Sequence, residues 1–165
     1  MSATISACQT YRYRLERDVQ AQGQVFAFFG INGSTATATE DDHTVRKWIG
    51  FTKINGGRRF LVGNVFAFRA TDVRALAGAA DPVGPENAHH LEQIIQDADV
   101  LIPCWGSRSK LPARLRGHLD QLLEKLLSSG KPVLTLGLTA SGDPRHPLML
   151  SYDTPLTPLT RGIND

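Results

Sequence analysis

The chain has little cysteine and no long apolar run, and each shortage excludes a class of protein. Two cysteines in 165 residues, Cys8 and Cys104, do not make a disulfide framework and point to a reducing cytoplasm. No apolar run approaches the roughly 20 residues a bilayer-spanning helix needs, so no membrane partner is expected. The first ten residues, MSATISACQT, lack a basic segment followed by an apolar one, so no secretory leader is read there. An excess of one charge is lacking too. A net charge of +2 is too small to argue nucleic-acid binding from bulk electrostatics, which leaves that case to local basic clusters.

What is present is ordinary for a globular protein. Hydrophobic residues make up 41% and charged residues 21%, and the length suits one domain over 1–165 with a sizeable core. Residues 11–17, YRYRLER, alternate large and charged side chains, the period of an antiparallel edge strand with one wet face. Residues 25–29, VFAFF, form a short, wholly apolar run bounded by Gly30, as a strand buried on both faces does. Similar runs begin at Phe60, Val100 and Val133. Between them lie helical patterns. Asp41 or Asp42 can cap the first, which carries Val45, Trp48, Ile49 and Thr52 at helical spacing. Val73, Leu76 and Ala77 mark a short helix. Pro85 opens another, running to about Ala98. The strongest pattern runs over 111–127, with Leu111, Leu115, Leu119, Leu122, Leu123, Leu126 and Leu127 on one face. The tail, 139–165, has no clear period. Strand alternates with helix four times. This predicts a three-layer α/β/α fold with a mostly parallel central sheet of four strands plus an N-terminal antiparallel edge strand.

In such sheets the binding crevice lies beyond the carboxyl ends of the strands. Those ends bring together four polar segments, 32–44, 64–72, 105–110 and 139–150. Asn32 is either a ligand or water-orienting amide, or a turn residue. Glycines flank it, but the segment 30–34 is neither a Walker loop nor a GxGxxG turn. Asp41 and Asp42 are a general base, a cation site or simply a helix cap with a solvated neighbour. Ser34 and Thr44 are small polar side chains of the same segment. Asn64 ends the second strand as Asn32 ends the first, and two such amides suit the edge of a flat polar group such as a nucleobase. Trp105 either stacks on a base or belongs to the core. Arg108 and Lys110 form a basic loop. Arg145 and His146 lie between Pro144 and Pro147 on a loop that proline stiffens. Arg there suits phosphate or carboxylate, and His suits acid–base work or a developing anion. His89, His90 and His118 make no metal set and are read as solvent-facing. No metal and no cofactor is implied.

These residues resemble a bacterial and phage family known as domain of unknown function 1643, over roughly 11–158. The segments that carry the resemblance include NGSTA at 32–36, DDHT at 41–44, GNVFAFRATD at 63–72, DPVGPEN at 81–87, Trp105-Gly106 and the run from LGLT at 136–139 through RHPL at 145–148. Gly33 and His43 stand where the family pattern usually carries proline. The order of motifs also resembles the uracil-DNA glycosylase superfamily. Gly30-Ile31-Asn32 is similar to the water-activating motif of its mismatch-specific branch, and Asn64 stands at its base-reading position. His146-Pro147 is similar to its late His-Pro motif. Gly33 and Leu148-Met149 depart from that pattern.

The expectation is therefore an enzyme acting on a nucleotide or nucleic acid, most concretely by hydrolysing an N-glycosidic bond. Asn32 or an Asp of the 41–42 pair would position water, Asn64 would read the base and His146 would support the leaving base. Arg108, Lys110 and Arg145 would meet phosphate. A non-catalytic nucleotide-binding module and a protein–protein adaptor are the alternatives. Oligomeric state is left open.

Overall fold

The computed structural model describes residues 1–160; the end of the aperiodic tail, 161–165, lies outside the described residues. Its centre is a five-stranded mixed sheet built from β1 (Ser2–Ile5), β2 (Arg12–Asp18), β3 (Gln24–Asn32), β4 (Gly57–Phe66) and β5 (Val100–Pro103), in the order β1-β2-β4-β3-β5. The apolar run of β3 is buried throughout, which is why it lies inside the sheet. It pairs in parallel with β4 on one side and β5 on the other.

The sheet departs from a mostly parallel one. β2 pairs antiparallel with β4, and β1 pairs antiparallel with β2, so the two senses of pairing share the sheet equally. The strand over 11–17 is antiparallel as expected, but it is not the edge. β1 covers its outer side. The alternation therefore misleads at two positions: Arg12 and Arg17 are 2% and 1% exposed. The fourth apolar run is shorter as a strand than its composition suggests. Val133 makes a single parallel bridge to Leu101, and β6 (Leu134–Thr135) then pairs antiparallel with β7 (Thr157–Pro158).

Alternate residues of the parallel strands enter two cores. Phe26, Phe28, Phe60 and Ile102 pack with Val45 and Trp48 of α1 (His43–Ile54). Ala27, Phe29, Leu61 and Leu101 pack with Leu91 and Ile94 of α2 (Asn87–Asp97) and with Leu119, Leu122 and Leu126 of α3 (Gly117–Leu127). Asp42 caps α1 by accepting the Val45 N–H at 2.9 Å, and Asn55 closes its other end. The leucine-rich stretch does not form one continuous helix. Ala113–Leu115 is a separate 3-10 turn after Pro112, although Leu111 and Leu115 are buried as the spacing predicts. Val73–Gly78 is also a 3-10 helix.

The histidines of the helices are not all turned to solvent. His90 stacks on Tyr13 with ring centres 4.8 Å apart, and His118 meets Phe66 edge-on. Both cysteines are free; Cys8 is exposed, and burial pushes the Cys104 thiol up to about 12. No helix among the described residues is long and apolar enough to cross a membrane.

Candidate functional site

A cleft of about 880 Å³ opens at the carboxyl ends of β3, β4 and β5. Its walls include Asn32, Ser34, Asp42, Thr44, Asn64, Trp105, Lys110 and His146, drawn from all four polar segments. These residues meet because the three parallel strands end on the same side, and the late loop folds back across them. The loop is tied by Gly106 N–H donating to Pro144 O at 2.8 Å and by Arg145 N–H donating to Gly137 O at 2.9 Å.

Asn32 is held in one orientation. Its Nδ2 donates to the carbonyls of Gly33 and Ala70, at 3.0 and 2.8 Å. Both donors of the amide are thus used on backbone, and Oδ1 is left as an acceptor. Asn64 is 2% exposed, lines the cleft and has no side-chain hydrogen bond among the described residues. Gly30 makes room for it: a Cβ there would stand 2.9 Å from Asn64 Oδ1. The amide is not among the atoms sealed off from solvent, so its hydrogen-bonding groups are open to whatever occupies the cleft, water or a ligand group.

His146 Nδ1 accepts the Leu148 N–H at 3.1 Å. That bond places the ring proton on Nε2. Burial and the neighbouring Lys110 charge hold the imidazole down at about 4, against the opposing pull of Asp42. At neutral pH the ring is an uncharged N–H donor. Asp42 spends Oδ1 on the α1 cap, which leaves its second oxygen for the cleft.

Several expected residues have other roles. Asp41 pairs with Arg17 at 2.8 Å and does not line the cleft. Arg108 bonds Asp120 and Asp143, and Asp143 is 1% exposed. Those carboxylates raise its pKa against burial; Asp143 fixes the basic loop to the late loop, and Asp120 ties it to α3. Arg145 is exposed and outside the cleft wall. Trp105 lines the cleft but is 2% exposed and belongs to the core, so it offers no open stacking face. The paired-carboxylate cation site does not form, since Asp41 turns to Arg17. No group of three or more His, Cys, Asp or Glu among the described residues is placed to hold a metal ion.

The arginines of β2 are the residues sequence reasoning missed. Arg17 donates to the carbonyls of Thr37 and Glu40, and Arg12 Nη1 donates to Ala36 O at 3.2 Å. With Arg69 donating to Ser34 O, they hold the loop after β3 by its backbone. Arg12 also lines the cleft. The signal was the wealth of arginine in a seven-residue strand: side chains whose five donors can satisfy a loop's carbonyls need not face water.

The chain matches the family described as protein of unknown function (DUF1643) over residues 12–148. Neither the curated proteins nor the solved structures include a significant match. The match spans most of the chain, so this protein belongs to the DUF1643 family.

Proposed function

From the residues gathered on the cleft, we propose a nucleotide- or nucleic-acid-processing hydrolase that cleaves an N-glycosidic bond. The observation that carries the reading is the convergence of Asn32, Asn64 and His146 on one cleft, each with a free hydrogen-bonding edge. Asn64 can both donate to and accept from a base edge. Asn32 Oδ1 can orient a water by accepting one of its O–H bonds. The water oxygen then bonds to the sugar carbon as the C–N electron pair leaves with the base. The base takes up the proton that the water loses. His146 Nε2–H donates a hydrogen bond to the base as negative charge grows on it. The motif order shared with uracil-DNA glycosylases supports this assignment as a resemblance. We read the two-sided helix packing as a three-layer fold and the free thiols as fitting a reducing cytoplasm.

One observation favours a second reading, a nucleotide-binding module without catalysis. Asp42 is the helix cap, so the cleft has no carboxylate free of structural duty to serve as base; its other acid, Asp72, pairs with Arg74. The test is a melting-temperature screen against nucleosides, mononucleotides and short single strands, followed by chromatography of any hit. Stabilisation with release of free base supports the hydrolase. Stabilisation without release supports the binding module, and no stabilisation by any of them removes both.

A further inference from the structure

The fold treats the two buried arginines of β2 differently. Arg17 is saturated: Asp41 neutralises it and the carbonyls of Glu16, Thr37 and Glu40 accept its protons. Arg12 is buried as deeply, yet only Nη1 is engaged, on Ala36 O. Its Nε is buried without a partner, and Nη2 has no acceptor among the described residues. No carboxylate among the described residues forms an ion pair with it; Asp42 acts on it only at longer range. Burial outweighs Asp42 and holds the guanidinium down at about 10, still charged at neutral pH. A buried charge without a counter-ion is expensive, and this one forms part of a cleft wall.

Two further features agree. Lys110 Nζ, also on the cleft, has no acceptor among the described residues. Gly33 lies against the unpaired edge of Arg12, formed by Nε and Nη2. A Cβ at Gly33 would stand 2.9 Å from Nε and 3.2 Å from Nη2. Those two nitrogens share one side of the guanidinium, the side that meets two oxygens of one oxyanion.

We infer that Arg12 seats a phosphate group of the ligand that fills the cleft, with Lys110 as the second cation. This moves the phosphate contact away from Arg108 and Arg145, whose charge is neutralised or lies outside the cleft. The source of the phosphate, a mononucleotide or a strand backbone, rests on the nucleotide reading; the seat itself does not.

The experiment is calorimetric titration of the full chain at fixed ionic strength. The titrants are inorganic phosphate, a chloride control, a mononucleotide, its nucleoside and a short single strand. Phosphate should bind where chloride does not, and the mononucleotide should bind about tenfold or more tightly than its nucleoside. Arg12→Met should remove that advantage. Gly33→Ala should weaken phosphate binding too, because it displaces the guanidinium without altering charge. Gly33 lies outside the left-handed region, so this variant keeps the backbone and decides the matter if Arg12→Met fails to fold. Wild-type indifference to phosphate, or both variants titrating as wild type, overturns the seat. Equal binding of nucleoside and mononucleotide overturns the seat while leaving base recognition standing. Phosphate binding without any response to nucleoside or nucleotide keeps the seat and removes the nucleotide reading. A strand preferred over the mononucleotide assigns the phosphate to a backbone.

Discussion

The Leu148 backbone N–H donates to Nδ1 of His146 at 3.1 Å, across a single intervening residue. A ring that accepts at Nδ1 must carry its proton on Nε2 to remain neutral. The late loop thus presets the tautomer that the cleft needs, before any ligand arrives.

A pH dependence follows. The folded-state value of about 4 lies below the ordinary 6.5, so the unfolded chain takes up this proton more readily. The contribution to stability is complete above pH 6.5 and is lost as pH falls through 4. It amounts to at most about 3 kcal/mol, because the ring is only partly buried. Urea unfolding of wild type and His146→Gln across this range should show the wild type losing more. Parallel curves would mean that His146 is not held neutral by its site.

Asn64→Leu should separate binding from stability. The Asn64 amide bonds no group among the described residues, so a leucine of similar size should change the melting temperature little. The same change should weaken nucleoside binding about tenfold or more, the worth of a hydrogen bond or two. A strong loss of stability would show instead that the amide holds the strand end.

Asp42→Ala should cost about 1 kcal/mol through the lost α1 cap. Asn caps as well as Asp, so Asp42→Asn should recover most of that stability. Any activity still missing in Asp42→Asn then belongs to the carboxylate. Calorimetric melting together with a turnover assay reads both effects, and full activity in Asp42→Asn would remove the carboxylate from the chemistry.

Leu119 is fully buried between α3 and the sheet. Leu119→Ala should cost about 2–5 kcal/mol in denaturant unfolding, the usual range for a truncated core side chain. A change within about 0.5 kcal/mol would place it among surface positions.

The parallel heart of the fold was legible because β3, β4 and β5 are apolar without alternation, as burial on both faces requires. The convergence of Asn32 and Asn64 followed from parallel strand ends, and that of His146 required in addition that the late loop fold back across them. The N-terminal third was less legible. YRYRLER does not reveal that Arg12 and Arg17 meet the backbone carbonyls of the loop after β3, because carbonyl acceptors leave no trace in side-chain pattern. Arg108 was misplaced for a related reason. Its partner Asp143 is 35 positions away, beyond what local spacing can couple. The run at 133–138 looked like a strand, but Gly137 turns it with φ +102° after only a short pairing.

The cleft draws its walls from Arg12 at one end of the chain and Met149 near the other. No early fragment can assemble it, and no local opening that frees a single loop leaves it whole. A ligand held there is therefore linked to global unfolding. Its binding free energy adds to the global stability as RT ln(1 + [L]/Kd), and slows the amide hydrogen exchange that proceeds through global unfolding, including that of amides that touch no part of the cleft.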